Sequence, residues 1–504
     1  MTAFSMTGQV NPATGLLDSN YLPSPSGSVW PSANALPQIF PMRKMTAIDG
    51  APDDSYHKNS LPGVPWAYPY LVMLGSGPRF WVLRKGAPGM LMQNGTFDEN
   101  GKWLLGNGGV LRWDNPVAGT YEIIVDVFDQ FGSATWRHSH TCGDLSKHII
   151  VSPNGSGAGD GSSAGNAMSW ANAYLGDTVL SPAQGKVLHL IGGDYPAPIY
   201  QIFPQYHSRN IVHYAADNPA NGSPVFRCRF NDQGSYRFIS GIEFNDMDWT
   251  ANGILQTNVN ADYLVSWRNR FINIRLASGT SENESCHVSM GTGGTYFRKG
   301  YVAYGNYYKD VEIAMTDMFS LEEFLNAQET IVHTNPAYTT RSGIPCCFAK
   351  SGVMYAEISG ILFDNPSVSG GSQGIICLQN SITQGQFSRG FADYNFIRCN
   401  GGSAIRSNIS SGAPADAINW VRRNDVIGGL VDAKNFSAGR FTYFDSNAIQ
   451  NSNSANLGLT SDSGAYSADR HECVGSSGVF DSAGNLTGAF ISYLYTRGSV
   501  RGIA

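Results

Sequence analysis

The strongest constraint on this chain is a phrase that returns. Ser240-Gly241-Ile242-Glu243-Phe244-Asn245-Asp246 recurs as Ser359-Gly360-Ile361-Leu362-Phe363-Asp364-Asn365. A second phrase, an asparagine with apolar residues and another Asn or Asp close behind, appears as Asn269-Arg270-Phe271-Ile272-Asn273 and Asn306-Tyr307-Tyr308-Lys309-Asp310. It opens again at Asn395, Asn424 and Asn447. The steps from Asn395 to Asn424 and from Asn424 to Asn447 are short, and that from Asn269 to Asn306 is longer. A period in the range of roughly 20–50 residues marks stacked units, each unable to bury its apolar face alone. The spacing predicts about ten to thirteen rungs of short parallel strands, with the longer step being one rung that carries a protruding loop. Asparagine suits the corners because it tolerates left-handed backbone and its amide can bond the same amide one rung away.

The low charge content supports stacked strands. Charged residues are 14% of the 504, against about 25% in ordinary soluble domains; tight stacks leave little perimeter for them. The net charge of −6 offers no basic field, so no nucleic-acid partner is expected. The eight cysteines show no Cys-x-x-Cys spacing and read as buried thiols, with neither a metal site nor a cofactor implied. No apolar run is long enough for a membrane span, so no membrane insertion is expected. The opening MTAFSMTGQVNPATG lacks a basic patch followed by an apolar core, so no signal peptide is expected.

The stretch 151–195 reads as the start of the stack. A short strand runs into a Gly/Ser loop at 154–163, then Trp170, Ala171, Ala173, Tyr174 and Leu175 take helix-like spacing. Val187-Leu188-His189-Leu190-Ile191 follows as a strand buried on both faces. The helix would cover the apolar end of the stack. Val151, Ser152, Pro153, Gly155, Asp160, Gly161, Ser162, Trp170, Ala171, Ala173, Gly185, Gly192 and Tyr195 together resemble the opening of right-handed parallel β-helix (pectate-lyase-like) proteins, which include many phage tailspikes. Residues 164–169 stand as an insertion in that pattern. The resemblance implies an all-β fold, a right-handed single-stranded parallel β-helix, and says little of function, because this scaffold hosts lyases, hydrolases and inert fibres.

The chain ahead of that stretch divides in two. Residues 1–60, rich in Pro, Ser, Asn and Gly, read as an extended arm. Over 61–150, short alternating runs separated by turns have the rhythm of a small β-sandwich. Gly119-Thr120-Tyr121-Glu122-Ile123-Ile124-Val125-Asp126-Val127-Phe128-Asp129 resembles the penultimate strand of immunoglobulin-like or cadherin-like modules. Alternation predicts that Tyr121, Ile123, Val125 and Val127 share a buried face. A calcium role for Asp126 and Asp129 lacks companion acidic motifs, and a turn-stabilising role for Asp129 is the plainer reading. The full expected order is an arm (1–60), a sandwich (61–150), a capping segment (151–185), the β-helix (186–463) and a C-terminal cap or subunit contact (464–504). Within the β-helix, 315–328 has helical spacing, with Ser320 and Glu323 as a capping box.

Candidate chemistry comes from aligning rungs on the asparagine. Two positions before it stand Trp267, Tyr304, Asp393, Arg422 and Asp445; three before it stand Ser266, Ala303, Ala392, Val421 and Phe444. The second set is mostly small or apolar, which predicts the first column is external. With strands about 4.8 Å apart, Asp393 and Asp445 would be two strands, about 9.6 Å, from each other with Arg422 between. That spacing lies just beyond the window of about 6.5–9.5 Å used by inverting glycosidases. In this reading Asp393 and Asp445 are the catalytic acids with Arg422 beside them, and Trp267 and Tyr304 stack on sugar rings. Arg422 and Arg423 are the cations nearest to hand for a uronate. A ladder of alternating charge that relieves its own repulsion explains the same residues without chemistry. His189, His207, His213, His287, His333 and His471 are isolated and read as structural.

Module order and the missing signal point to a bacteriophage virion surface protein of tailspike, tail-fibre or decoration type, assembled in the host cytoplasm. A homotrimer is expected, held to other virion proteins through the arm and binding host polysaccharide. Cleavage of that polysaccharide by a hydrolase or lyase, a purely structural virion role, and a secreted polysaccharide lyase or hydrolase all stay open at this point.

Overall fold

The computed structural model describes Gln38–Phe40, 58–73, 80–97, 103–129, 132–173 and, between 186 and 474, the strands and many of the corners that join them. Its first unit is a sandwich of two four-stranded sheets. One has the order Gln38–Phe40, Trp66–Met73, Trp103–Trp113, Met90–Phe97; the other Asn59–Ser60, Gly132–Cys142, Gly119–Asp129, Phe80–Lys85. The pleat of Gly119–Asp129 sends Ile123, Val125 and Val127 fully inward against Tyr68, Tyr70, Trp81 and Trp113. Tyr121 stands edge-on to Trp113, with centroids 5.3 Å apart, and its hydroxyl donates to the Val117 carbonyl at 3.2 Å. Asp126, on the other face, is held by Arg84 at 2.7 and 2.5 Å and by the Thr135 hydroxyl at 2.6 Å. A carboxylate already engaged by a guanidinium is a structural anchor, so the calcium reading of Asp126 is set aside; the side chain of Asp129 lies outside the described residues.

The rest of the chain coils through parallel sheets. A thirteen-stranded first sheet begins with Met168–Ser169, His148–Ser152 and Val187–Leu190. It continues through Val212–Ala216, Arg237–Ser240, Leu264–Trp267, Tyr301–Tyr304, Phe324–Gln328 and Tyr355–Ser359. Arg389–Asp393, Ile418–Arg422, Phe441–Asp445 and Ala465–Asp469 complete it. An eleven-stranded second sheet runs from Gly193–Tyr195 to Glu472–Val474, and a five-stranded third sheet from Cys347–Ala349 to Leu457–Leu459. Every described neighbour pair in these sheets is parallel, and the chain visits them in turn. Coils differ in length as the sequence intervals do: Trp420 is followed one strand on by Tyr443, whereas Val265 is followed only by Val302.

The repeated phrases are the corners between the first and second sheets. Gly241, Arg268, Gly305 and Gly360 open four of these corners with φ of 69°, 53°, 62° and 71°. The residue that follows is Ile242, Asn269, Asn306 or Ile361, and these, like Asn395 and Asn424 at two further corners, are fully buried. Each of the four asparagines accepts from a backbone N–H of the preceding coil: Ile242 to Asn269 at 3.0 Å, Asn269 to Asn306 at 2.9 Å, Ile361 to Asn395 at 2.9 Å, Asn395 to Asn424 at 3.0 Å. Each also donates to a strand carbonyl of that coil, such as Ala392 at 2.8 Å from Asn424. These amides therefore serve a corner backbone that lacks a ladder partner. At Asn269 and Asn306 the left-handed turn falls on the residue ahead of the asparagine. Left-handed backbone returns at the phrase's second polar residue, Asp246, Asn273 and Asp310, with φ between 51° and 59°.

Inside the coils, aromatic rings stack. Tyr195, Phe226, Phe244, Phe271 and Tyr308 occupy one register position of the second sheet, with successive centroids 4.8–5.9 Å apart. Trp170, in the helical turn Trp170–Ala173, closes this stack edge-on to Tyr195 and Phe226. Met168–Ser169 is the outermost strand of the first sheet, and the helical turn follows it directly; 174–185, where the expected capping segment continues, lie outside the described residues. Gly161, with φ 75°, fits the loop beneath because a Cβ there would stand 2.5 Å from the Ile149 side chain.

Three expectations are corrected. Phe324–Gln328 is a strand, paired in register with Tyr301–Tyr304 and Tyr355–Ser359. Two ready-made strand edges override its helical spacing; 315–320 lie outside the described residues. The stack does not end at 463, since Ala465–Asp469 and Glu472–Val474 extend both ladders. At the other end, Gln38–Phe40 and Asn59–Ser60 join the sandwich and His148–Ser152 already belongs to the first sheet. The remainder of the arm, and residues 475–504, lie outside the described residues.

Candidate functional site

The outer face of the first sheet gathers most of the candidate residues. Ser240, Trp267, Tyr304, Gln328, Ser359, Asp393, Arg422, Asp445 and Asp469 are register partners in unbroken succession. Their immediate strand neighbours Ser266, Ala303, Ile358, Ala392 and Val421 are completely buried, so the pleat puts the column itself on the outer face. Asp393, Arg422 and Asp445 thus stand on consecutive strands as the sequence alignment required. Arg423 lies outside the described residues.

Two features escaped the sequence reading. Asp469 continues the column one strand from Asp445, at a backbone spacing of about 4.8 Å. It was missed because the sequence has His471 two residues on, where Asn395, Asn424 and Asn447 follow Asp393, Arg422 and Asp445. Two residues earlier on each strand, on the same face, runs a parallel column of Val265, Val302, Asn326, Glu357, Phe391, Trp420 and Tyr443. Counting back four rather than two residues from the asparagine would have found its aromatic members.

Trp267 and Tyr304 are not open platforms. They are 3% and 0% exposed, although they belong to the outer face, because the sandwich lies over this part of the sheet. Tyr68 of the sandwich stacks on Phe238 with centroids 6.0 Å apart and planes at 7°, and Phe238 meets Trp267 edge-on at 6.1 Å. Val187, Phe238, Val265, Trp267, Tyr304 and Phe391 share one apolar cluster with Trp66, Tyr68, Tyr70, Trp81 and Trp113. Among the described residues the buried indole Nε1 of Trp267 has no hydrogen-bond partner. A second contact joins Leu61 and Val64 of the sandwich to Ile150 and Ile191.

Between these two contacts sits a buried histidine pair. His148 Nδ1 is 2.7 Å from His189 Nε2, the rings being 4.9 Å apart, and one ring nitrogen donates to the other. His148 is the register partner of Val187, and His189 of Ile150. Burial pushes His189 down to about 4. Among the described residues no group of three or more His, Cys, Asp or Glu is placed to hold a metal ion, and no helix is long and apolar enough to cross a membrane.

No family model, curated protein or solved structure matches this chain. Its function has to be argued from the outer face itself.

Proposed function

We propose that the coils form a right-handed parallel β-helix and that the protein is a phage virion surface protein of tailspike or tail-fibre type. Its outer first-sheet face binds a host-surface polysaccharide. The sandwich is an immunoglobulin-like module, a reading supported by the hydroxyl of Tyr121 returning to the backbone just upstream of its strand. The arm joins other virion proteins and the assembled form is a trimer. The observation that carries the reading is the pair of columns that runs on from the edge of the sandwich cluster at Phe391. Trp420 and Tyr443 follow Phe391 in one column, beside Asp393, Arg422, Asp445 and Asp469 in the other, on one face. Aromatic faces and charged hydrogen-bonding groups side by side are what a pyranose chain needs, apolar ring faces meeting aromatics and hydroxyls meeting carboxylates and guanidinium.

Binding is favoured over cleavage because a single-face track needs no pair of acids across a bond. The test is retention of bacterial capsular and O-chain polysaccharides by the full chain, with reducing-end release and unsaturated-product absorbance followed in parallel. Wild type should retain at least one, and Trp420→Ala should weaken retention tenfold or more. Retention of none would remove the polysaccharide reading and leave a structural virion role. Release that falls by about 10²–10⁴-fold in Asp393→Asn, Asp445→Asn or Asp469→Asn would convert the binding face into an active site.

A further inference from the structure

We propose that the sandwich is an acid-released cover over the outer face of the first sheet, with the His148–His189 pair as its trigger; this rests on reading that face as the polysaccharide surface. The cover hides the kind of residue that the far end of the track uses. Trp267 and Tyr304 continue the column of Asp393 and Arg422, and Phe238 the column of Phe391 and Trp420, yet all three rings lie under Tyr68 and its neighbours. Opening would lengthen the aromatic track by several coils.

The closed contact carries a built-in penalty. Among the described residues the buried Trp267 Nε1 has no acceptor, and an indole N–H in that state is stabilised as soon as water or a sugar hydroxyl reaches it. The trigger lies where the cover meets the stack. Ile150, the register partner of His189, packs on Leu61 and Val64, and Val187, the partner of His148, belongs to the cluster shared with the sandwich. The last sandwich strand ends at Cys142, and only the residues 143–147, with Gly143 at φ 111°, separate it from His148.

In the neutral pair one ring donates to the other. One added proton still leaves a single N–H between the rings, but a second would set two cations 2.7 Å apart in a buried site. Among the described residues, the charged and titratable groups around the pair do not offset this. Lys147 precedes His148 and Lys186 precedes the strand of His189, while His213 is the register partner of Val187 on the next strand. Asp144 is an acid in this neighbourhood. It is held mainly by Ser146, at 2.6 Å to the hydroxyl and 3.1 Å to the backbone N–H, and His148 is the smallest influence on it. The sandwich side contributes the uncharged Leu61 and Val64. With His189 at about 4 when closed and at the ordinary value near 6.5 when open, the closed-to-open ratio falls roughly thirtyfold between pH 7.5 and pH 5.

The experiment follows small-angle scattering and backbone hydrogen exchange, corrected for intrinsic pH dependence, on the full chain at pH 7.5 and pH 5. Polysaccharide retention is measured alongside. Wild type should gain maximum dimension at pH 5 and lose protection at 61–70 and 143–151, while the strands from 355 onward stay protected. His189→Gln and His148→Gln should each suppress the change. Absence of opening in wild type overturns the proposal, as does equal opening in whichever glutamine variant folds. Opening at pH 5 with no polysaccharide retained at either pH supports the switch and removes the polysaccharide reading. Retention that is the same at both pH values without opening does the reverse.

Discussion

Removing one corner amide tests how the coils are held. Asn395 is fully buried; its Oδ1 accepts the Ile361 N–H at 2.9 Å and its Nδ2 donates to the Ile358 carbonyl at 3.1 Å and to Asn424 Oδ1 at 2.9 Å. In Asn395→Ala, the Ile361 N–H and the Ile358 carbonyl lose their side-chain partner. Asn424 Oδ1 keeps the Asn395 backbone N–H at 3.0 Å. Two buried groups that lose a partner, at about 1–3 kcal/mol each, give a loss of about 2–6 kcal/mol. Asn395→Asp sharpens the test, because it keeps the acceptor for Ile361 and replaces the donor to Asn424 with a carboxylate oxygen. Burial raises that carboxyl in the folded state, so the folded protein binds more protons than the unfolded one. The variant's stability therefore falls as pH rises from the ordinary Asp value near 3.9 upward. Denaturant unfolding followed by far-ultraviolet circular dichroism at pH 4 and pH 7 measures both, with the exposed Asn172→Ala as control. A loss for Asn395→Ala below about 0.5 kcal/mol, the scale of an ordinary surface change, or an Asp variant insensitive to pH, would refute the claim that these amides carry the corner backbone.

Other outcomes follow from single contacts. Trp170→Ala strips the edge-on cover from Tyr195 and Phe226; a loss of about 3–5 kcal/mol should appear as faster amide exchange confined to Val187–Leu190 and Gly193–Tyr195, and unchanged exchange there would refute the capping role. Arg84→Ala leaves the buried Asp126 with Thr135 alone. Because the guanidinium is half-exposed the expected loss is about 1–3 kcal/mol, read as the sandwich's unfolding midpoint, and Asp126→Asn should cost less. His189 has a folded value of about 4, depressed below the ordinary 6.5. Its contribution of about 3 kcal/mol is present above pH 6.5 and is lost as pH falls toward 4. A stability profile over that window should flatten in His189→Gln; an equally steep profile would place the acid sensitivity elsewhere.

The sequence by itself determined the coil and its corners. Asparagines at 269, 306, 395 and 424 announced amides that bond from one rung to the next, because a corner backbone must bond something and few side chains both accept and donate at that reach; that they are buried came from the structure. Tyr121 to Val127 announced a strand with one apolar face because side chains alternate. The in-register column of Asp393, Arg422 and Asp445 followed from the same counting. Tertiary structure decided what each outer face meets. Trp267 and Tyr304 sit where the pattern put them, yet alternation says only which way a residue points from its strand, and the sandwich that buries them is built from strands far back in the chain, between Trp66 and Trp113. Phe324–Gln328 carries helical spacing and forms a strand because parallel edges wait on both sides. Asp469 was lost to the alignment since the sequence has histidine, His471, where the alignment looked for asparagine, whereas backbone pairing holds the register whatever the sequence that follows. Local pattern reports on the chain's own hydrogen bonds and pleat; which surface is covered depends on contacts between residues distant in sequence, and no periodicity encodes those.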